Sequence, residues 1–263
     1  MIIHYPYHQI EFNTIGGSQL TKHIQDANAS KVFVLCDENT YEHCWPLLAG
    51  TEGLEEAELL VIEAGEVHKN LETCYQLWET LLNYNADRKA LIINLGGGVL
   101  TDMGGFIAST FKRGVKFIQI PTTLLSSVDA SVGGKLGVDL GVQKNMVGVF
   151  NYPEYLLINT EFLKTLSSLE FQSGYFEMVK HGLIKSKQHW NELKDGITPE
   201  TQNLPELIQA SVDIKIAVTE EDPKEQGLRK ILNYGHTIGH AIEGHLLAAG
   251  APLPHRPVVP GKR

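Results

Sequence analysis

The chain is short of positive charge, cysteine and long apolar runs, and each shortage removes a class of function. Its 263 residues carry 22 Lys and Arg against 31 Asp and Glu, a net charge of −9. No global basic field exists to recruit nucleic acid. The three cysteines, Cys36, Cys44 and Cys74, are odd in number and far apart. They make neither a metal pair nor a disulfide framework, and a reducing cytoplasm is the expected compartment. No apolar run reaches the length of a membrane span. The opening Met1-Ile-Ile-His-Tyr-Pro runs straight into polar residues, unlike a signal peptide. Neither an internal repeat nor a low-complexity tract stands out. The remaining class is an ordinary globular chain, 43% apolar and 20% charged, long enough for one large domain or two.

The first half alternates strands with helical patterns. Lys31–Cys36, Glu58–Glu63, Ala90–Asn94 and Lys116–Ile120 read as strands, Leu71–Tyr84 as a helix, and Tyr155–Ile158 as one more strand. This texture predicts βαβ units around a parallel sheet, which binds ligands at the carboxyl ends of its strands. From Phe162 onward only helical patterns follow, over Phe171–Ser186, Leu204–Val218 and Gly227–Leu247. The expected division is an α/β domain over residues 1–160 and a helical domain over 161–263.

Four stretches carry chemistry. The strand ending at Asn94 runs into Gly96-Gly-Gly98-Val-Leu-Thr101-Asp102-Met-Gly104-Gly105. Five glycines in ten residues exceed what a bare turn needs, and they predict a phosphate or pyrophosphate site at a helix N-terminus. Glu63-Ala-Gly65-Glu66-Val-His-Lys69 also ends a strand, where a carboxylate can accept from a ribose hydroxyl; a solvated turn with a helix cap is the plainer alternative. Gly133-Gly134-Lys135 invites a Walker A reading, but Leu136 stands where Ser or Thr would bind magnesium. Lys135 and Lys144 suit an anionic substrate, with solvated lysines as the alternative.

The fourth stretch, Arg229-Lys-Ile-Leu-Asn233-Tyr-Gly-His236-Thr-Ile-Gly-His240, places Arg229, Asn233, His236 and His240 at steps of four, three and four. On a helix these share one face. A polar stripe between apolar faces predicts the wall of a polar cavity. Two imidazoles at i, i+4 can share a metal, but a third ligand is required. Glu177, Lys180 and His181 share another helical face, which taken alone is a solvated one; beside the histidine stripe, Glu177 becomes a candidate third ligand. Lys215 interrupts an apolar run and is either snorkelling or aimed at a cavity.

Taken jointly and in order, from about residue 30 to about residue 245, Gly96–Asp102, Pro121-Thr-Thr123, Asp129, Gly-Gly-Lys135, Lys144-Asn145, Glu177-x-x-Lys180 and Arg229…Asn233-x-x-His236…His240 resemble 3-dehydroquinate synthase. The resemblance implies an N-terminal Rossmann-like NAD-binding domain, a C-terminal all-helical domain holding a divalent metal (zinc or cobalt), and an active site in the cleft between them. It implies conversion of 3-deoxy-D-arabino-heptulosonate 7-phosphate to 3-dehydroquinate and phosphate, the second step of the shikimate pathway, by a cytoplasmic homodimer with no nucleic-acid or membrane partner. NAD would take a hydride from a ring hydroxyl and return it after phosphate leaves. By position, Asp37, Glu66, Lys69, Gly97, Gly98, Asp102, Thr122, Thr123, Phe162 and Thr165 are implied NAD contacts. Glu177, His236 and His255 are implied metal ligands. Arg113, Asp129, Lys135, Lys144, Asn145, Lys180, Lys215, Arg229, Asn233 and His240 are implied to line the substrate cleft.

The tail departs from the family pattern. His255 follows a long Ala248–Pro254 stretch and is followed by Arg256-Pro-Val-Val-Pro-Gly-Lys-Arg263, without helical period. The expectation is a helical domain lacking its last helices. The alternatives are a sister sugar-phosphate cyclase, a metal-dependent polyol or alcohol dehydrogenase, and a non-catalytic truncated homologue.

Overall fold

The computed structural model describes residues 2–5, 8–12 and 18–235. The chain divides into two compact units, Met1–Thr122 with Gly134–Phe162, and Thr123–Gly133 with Leu163–Arg263. The first unit holds strands β1 (Ile2–Tyr5), β2 (His8–Phe12), β3 (Val32–Asp37), β4 (Glu58–Ile62), β5 (Leu91–Gly96), β6 (Lys116–Pro121), β7 (Lys135–Leu140), β8 (Gln143–Phe150) and β9 (Tyr155–Ile158). Its helices are α1 (Ser18–Ala27), α2 (Glu38–His43), α3 (Leu71–Asn83) and α4 (Gly98–Thr110).

Seven strands form one sheet in the order β1-β2-β9-β6-β5-β3-β4. Only the β1–β2 pair is antiparallel; the other neighbours run parallel. The α/β architecture read from the sequence is therefore the observed one. Alternate residues of each strand enter opposite cores. Phe33, Leu35, Ile92 and Phe117 pack with Leu77 and Leu81 of α3 and with Met103 and Ile107 of α4. Val34, Cys36, Ile93, Leu95, Ile118 and Ile120 pack with Leu20 and Ile24 of α1. A sheet covered on both faces favours apolar residues on both sides of each strand, which explains the near-continuous apolar runs.

The antiparallel β7–β8 hairpin was hidden by its composition. Gly137 and Gly148 sit opposite each other, and a Cβ on Gly137 would lie 2.7 Å from the Val147 carbonyl oxygen. Glycine carries little strand signal, yet here it permits close backbone approach.

The second unit is helical over its described residues: a π-type turn at Ser126–Ala130, α5 (Ser168–Lys185), α6 (Lys187–Leu193), α7 (Leu204–Glu221) and a 3-10 helix at Leu228–Asn233. Ser167 caps α5 by accepting from the Glu170 N–H. Ser186 caps α6 through the His189 N–H. The segment Thr123–Gly133 belongs with these helices, although the division expected at 160/161 assigns it to the sheet domain. Gly174 of α5 explains the grouping, because a Cβ there would lie 2.5 Å from the Leu124 carbonyl carbon.

The helix expected from Gly227 differs over its described part. Leu228–Asn233 is a 3-10 helix ending at Tyr234, whose φ of −58° and ψ of 124° are extended. The Asp222 carboxylate accepts from the N–H groups of Gln226, Gly227 and Arg229 and tightens this entry. With three residues per turn, Arg229 and Leu232 share the buried face and Asn233 turns outward. Among the described residues, no helix is long and apolar enough to cross a membrane.

Candidate functional site

In the first unit the sheet order reverses between β3 and β5, since the chain adds β4 beyond β3 and then β5 and β6 on its other side. Ligands of doubly wound sheets bind outside the strand ends at such a reversal. Asp37 ends β3 and Gly96 ends β5. Asp37 caps α2, with its carboxylate accepting from the Thr40 N–H at 2.8 Å. Gly97 is the N-cap of α4 and makes no side-chain cap bond, and no acidic residue lies in the helix's first turn. Uncapped N–H groups at the positive end of a 13-residue helix suit a phosphate.

Not all five glycines serve that loop. A Cβ on Gly104 would lie 2.5 Å from Asn94 Cγ of β5, and one on Gly105 would strike Leu136 of β7. These two let α4 lie flat on the strands, while Gly97 and Gly98 shape the helix start. Gly96 is confined by Leu100, and its carbonyl accepts from the Thr122 N–H at 3.0 Å.

Beside this helix start, three distant segments meet on Lys69. Its Nζ is 2.7 Å from Asp102 Oδ2 of α4 and donates to Asn145 Oδ1 of β8 at 2.8 Å. The Asn145 N–H donates in turn to Asp139 Oδ1 at 2.7 Å. Asn145 has φ 55°, a left-handed conformation that asparagine tolerates, next to an irregularity in the hairpin register. Lys144 Nζ lies 3.7 Å from Glu66 Oε1. Burial pushes Lys69 down, but Asp102, Glu66 and Asp139 together hold it above its ordinary value, so it stays cationic. Glu66, Lys69 and Asp102, expected at the cofactor, are thus joined to Lys144 and Asn145, expected at the substrate.

The second unit holds a denser cluster. Glu177, Lys180 and His181 occupy one face of α5, and all three are buried, at 1%, 3% and 0% exposure. The solvated face expected for this trio in isolation is not what forms. Lys180 donates to Glu177 Oε2. Lys215, on α7, is buried rather than snorkelling and donates to the backbone and carboxylate oxygens of Asp129. Ligand atoms of Asp129, Glu177 and His181 all lie within 4.8 Å of one another.

Burial, reinforced by Asp129, pushes Glu177 up to about 7 against the pull of Lys180. Burial also works against Asp129, but Lys215 and Lys180 hold it well below the usual carboxylate range. Lys215 itself is lowered, by burial and then by Lys180 and Arg229, with Asp129 opposing. Burial and Lys180 lower His181 to about 3, so its ring is neutral. The cluster therefore presents nitrogen and oxygen donors together, a set that suits zinc-like ions. The buried Nε2 of His181 has no hydrogen-bond partner among the described residues, as a donor held for an ion would.

His181 is the residue that the motif reading passed over. A histidine at i, i+4 from a glutamate is a weak signal until the helix face is known to be buried. The other expected residues occupy varied settings. Arg229 is tied into the fold, its guanidinium donating to the carbonyls of Gly133 at 3.0 Å and Pro223 at 2.8 Å. Asn233 is exposed and donates to Glu225 Oε1 at 2.6 Å. Arg113 is exposed past the C-terminal end of α4, a 13-residue helix, and so about 20 Å along its axis from Gly98. Phe162, at 2% exposure, is part of the hydrophobic core. Thr165 is exposed, Thr122 is buried at the end of β6, and Thr123 bonds Ser126 Oγ at 2.8 Å. Lys135 opens β7 with an exposed side chain. His236, His240 and His255 lie outside the described residues.

The 3-dehydroquinate synthase N-terminal family model matches residues 59–173, and the 3-dehydroquinate synthase C-terminal model matches residues 174–255. The chain is 45% identical over 247 residues to the 3-dehydroquinate synthase of Parabacteroides distasonis, covering 89% of this chain and 70% of the relative. It is 48% identical over 196 residues to that of Prochlorococcus marinus, covering 72% of this chain and 53% of the relative. The chain thus spans between about half and seven-tenths of these curated relatives. A solved structure of 2-deoxy-scyllo-inosose synthase with carbaglucose-6-phosphate, NAD+ and Co2+ superposes with a TM-score of 0.79 at 26% identity, covering 94% of this chain and 69% of that one. By sequence, over both family models, the chain belongs to the 3-dehydroquinate synthase family.

Proposed function

We propose that the chain acts as a 3-dehydroquinate synthase, converting 3-deoxy-D-arabino-heptulosonate 7-phosphate to 3-dehydroquinate and phosphate with bound NAD and one divalent cation. The observation that carries the reading is the cluster of buried Glu177, Lys180, His181 and Lys215 with the half-buried Asp129. A carboxylate and two ammonium groups withdrawn from water, beside a second, half-buried carboxylate, are costly to a fold and are characteristic of a site.

NAD is assigned to the loop at Gly97 and Gly98, with Asp37, Glu66, Lys69, Asp102, Thr122 and Thr123 as its neighbours, and the cation to Glu177 with His236 and His255. When bound, NAD supplies a reversible hydride acceptor and the cation a Lewis acid that acidifies a substrate hydroxyl. The chain's own residues do the rest. Lys69 fixes Asp102 and Asn145 in place. Lys180 and Lys215 provide fixed positive charge for an anionic sugar phosphate, giving orientation and charge stabilisation. Asp129, ionised beside Lys215, is an acceptor for a substrate hydroxyl. Arg229, whose charge reaches Lys215, adds to this positive set.

The test is phosphate release from the heptulosonate substrate by the full chain, with and without added zinc and with NADH followed in parallel. Expected are zinc-dependent phosphate release and no net NADH. Stoichiometric NADH would identify a dehydrogenase instead, and turnover of a hexose phosphate in place of the heptulosonate would identify a sister cyclase.

A further inference from the structure

Three helices of the second unit each send one polar side chain to a single buried point. Ser211 of α7 is 0% exposed, His181 of α5 is 0% and His189 of α6 is 2%. Ser211 Oγ lies 3.2 Å from His181 Nδ1 and 3.0 Å from His189 Nε2. On the far side, His189 Nδ1 faces Glu192 Oε2 at 3.7 Å, and Glu192 reaches solvent at 39% exposure. The fold takes trouble over this junction. A Cβ on Gly182 would lie 2.7 Å from the Trp190 backbone nitrogen, so glycine lets α6 turn back far enough to deliver His189.

A serine hydroxyl has one proton, and a neutral imidazole has one donor and one acceptor nitrogen. Those limits give the chain a direction. The Glu192 carboxylate, 3.7 Å from His189 Nδ1 and beyond direct hydrogen-bond reach, attracts a proton and offers none, which favours the His189 proton on Nδ1. His189 Nε2 is then a lone pair and accepts from the Ser211 hydroxyl. Ser211 Oγ in turn accepts from His181 Nδ1–H. Nδ1 being committed, the lone pair of His181 falls on Nε2, the buried nitrogen without a hydrogen-bond partner among the described residues. A ring nitrogen of His181 lies within 4.8 Å of ligand oxygens of Asp129 and Glu177.

We propose that His181 is a further ligand for the divalent cation, with its Nε2 lone pair set toward Asp129 and Glu177 by hydrogen bonds through Ser211 to His189, whose ring is biased in turn by the nearby Glu192 carboxylate. This rests on the metal assignment made above and adds a donor to it. Ser211 and His189 are positioning residues: they touch no substrate and act by fixing one tautomer and one ring orientation, as outer partners of metal-bound histidines do.

The experiment uses the full chain labelled with 15N-histidine and stripped of metal. Two-bond proton–nitrogen correlation spectra report the tautomer of each ring, and loss of one signal set in His181→Gln assigns it. Expected is a protonated Nδ1 and a bare Nε2 at His181, with Nε2 shifting on zinc saturation. Cobalt affinity, read by chelator competition, should fall about 10–100-fold in Ser211→Ala. Ser211→Thr, which keeps the hydroxyl, should hold the wild-type affinity. A protonated Nε2 in the metal-free protein overturns the proposal. So does an unmoved Nε2 in a protein whose zinc binding is lost in Glu177→Ala, and that result leaves the metal assignment standing. If the wild type takes up no zinc at all, the metal assignment itself is overturned together with the ligand role, whichever tautomer the apo spectra show.

Discussion

Buried His181 makes the second unit sensitive to acid in a way that a single substitution isolates. Its pKa is lowered from 6.5 to about 3, by burial first and then by Lys180. The unfolded chain therefore binds the proton more readily, and stability from this group rises with pH. It is fully present above about 6.5 and is lost as pH falls toward 3. At ~1.36 kcal/mol per pKa unit, the whole effect is about 5 kcal/mol, and about 1 kcal/mol is lost between about pH 7.5 and about pH 5.5. Glu177 works oppositely. Its pKa is raised from 4.5 to about 7, by burial first and then by Asp129, so its charged form weakens the fold at neutral pH. Acidification over the same interval returns about 2 kcal/mol. The wild type should therefore show little pH dependence there, and the variants should separate the two effects. Between those pH values, His181→Gln should gain about 1 kcal/mol more than wild type on acidification, and Glu177→Gln about 2 kcal/mol less. Urea unfolding of the metal-free protein at both pH values measures this. Identical pH slopes in wild type and His181→Gln would mean that the imidazole is hydrated in the native state, and the account of the cluster would fail.

Replacing Lys69 with Met leaves Asp102, 18% exposed, without its cation and Asn145 without its donor. Stability should fall by about 2–3 kcal/mol, less than the ~3–5 of a fully buried pair, and NAD affinity should fall with it; calorimetry of melting and of binding reads both. Gly104→Ala would press a methyl group into the Asn94 amide and should cost about 1–3 kcal/mol, measured by denaturant unfolding. The buried thiols Cys36, Cys44 and Cys74 are each pushed up to about 12, principally by burial, so native protein at about pH 8 should resist a thiol reagent that labels all three once urea is added.

The sequence alone determined the layered α/β half of this protein and the helical texture of the rest. Parallel strands buried on both faces read as near-continuous apolar runs, and Val32–Cys36, Leu91–Leu95 and Phe117–Ile120, interrupted only by buried Asn94 and Gln119, carry that pattern openly. Motif spacing likewise singled out Lys69 and Asp102, which the fold pairs, and Asp129, Glu177, Lys180 and Lys215, which it gathers into one cluster. Tertiary structure decided what depends on partners distant in sequence. The β7–β8 hairpin exists because Gly137 and Gly148 can meet, and single residues cannot announce a meeting. Thr123–Gly133 joined the helical unit because Gly174 admits its backbone and Lys215 binds Asp129. Arg229 left its expected helical stripe when Asp222 capped a 3-10 turn. His181 changed most. A polar residue on a helix is solvated or catalytic according to what covers that face, and here the covering groups, Ser211 and His189, come from two other helices.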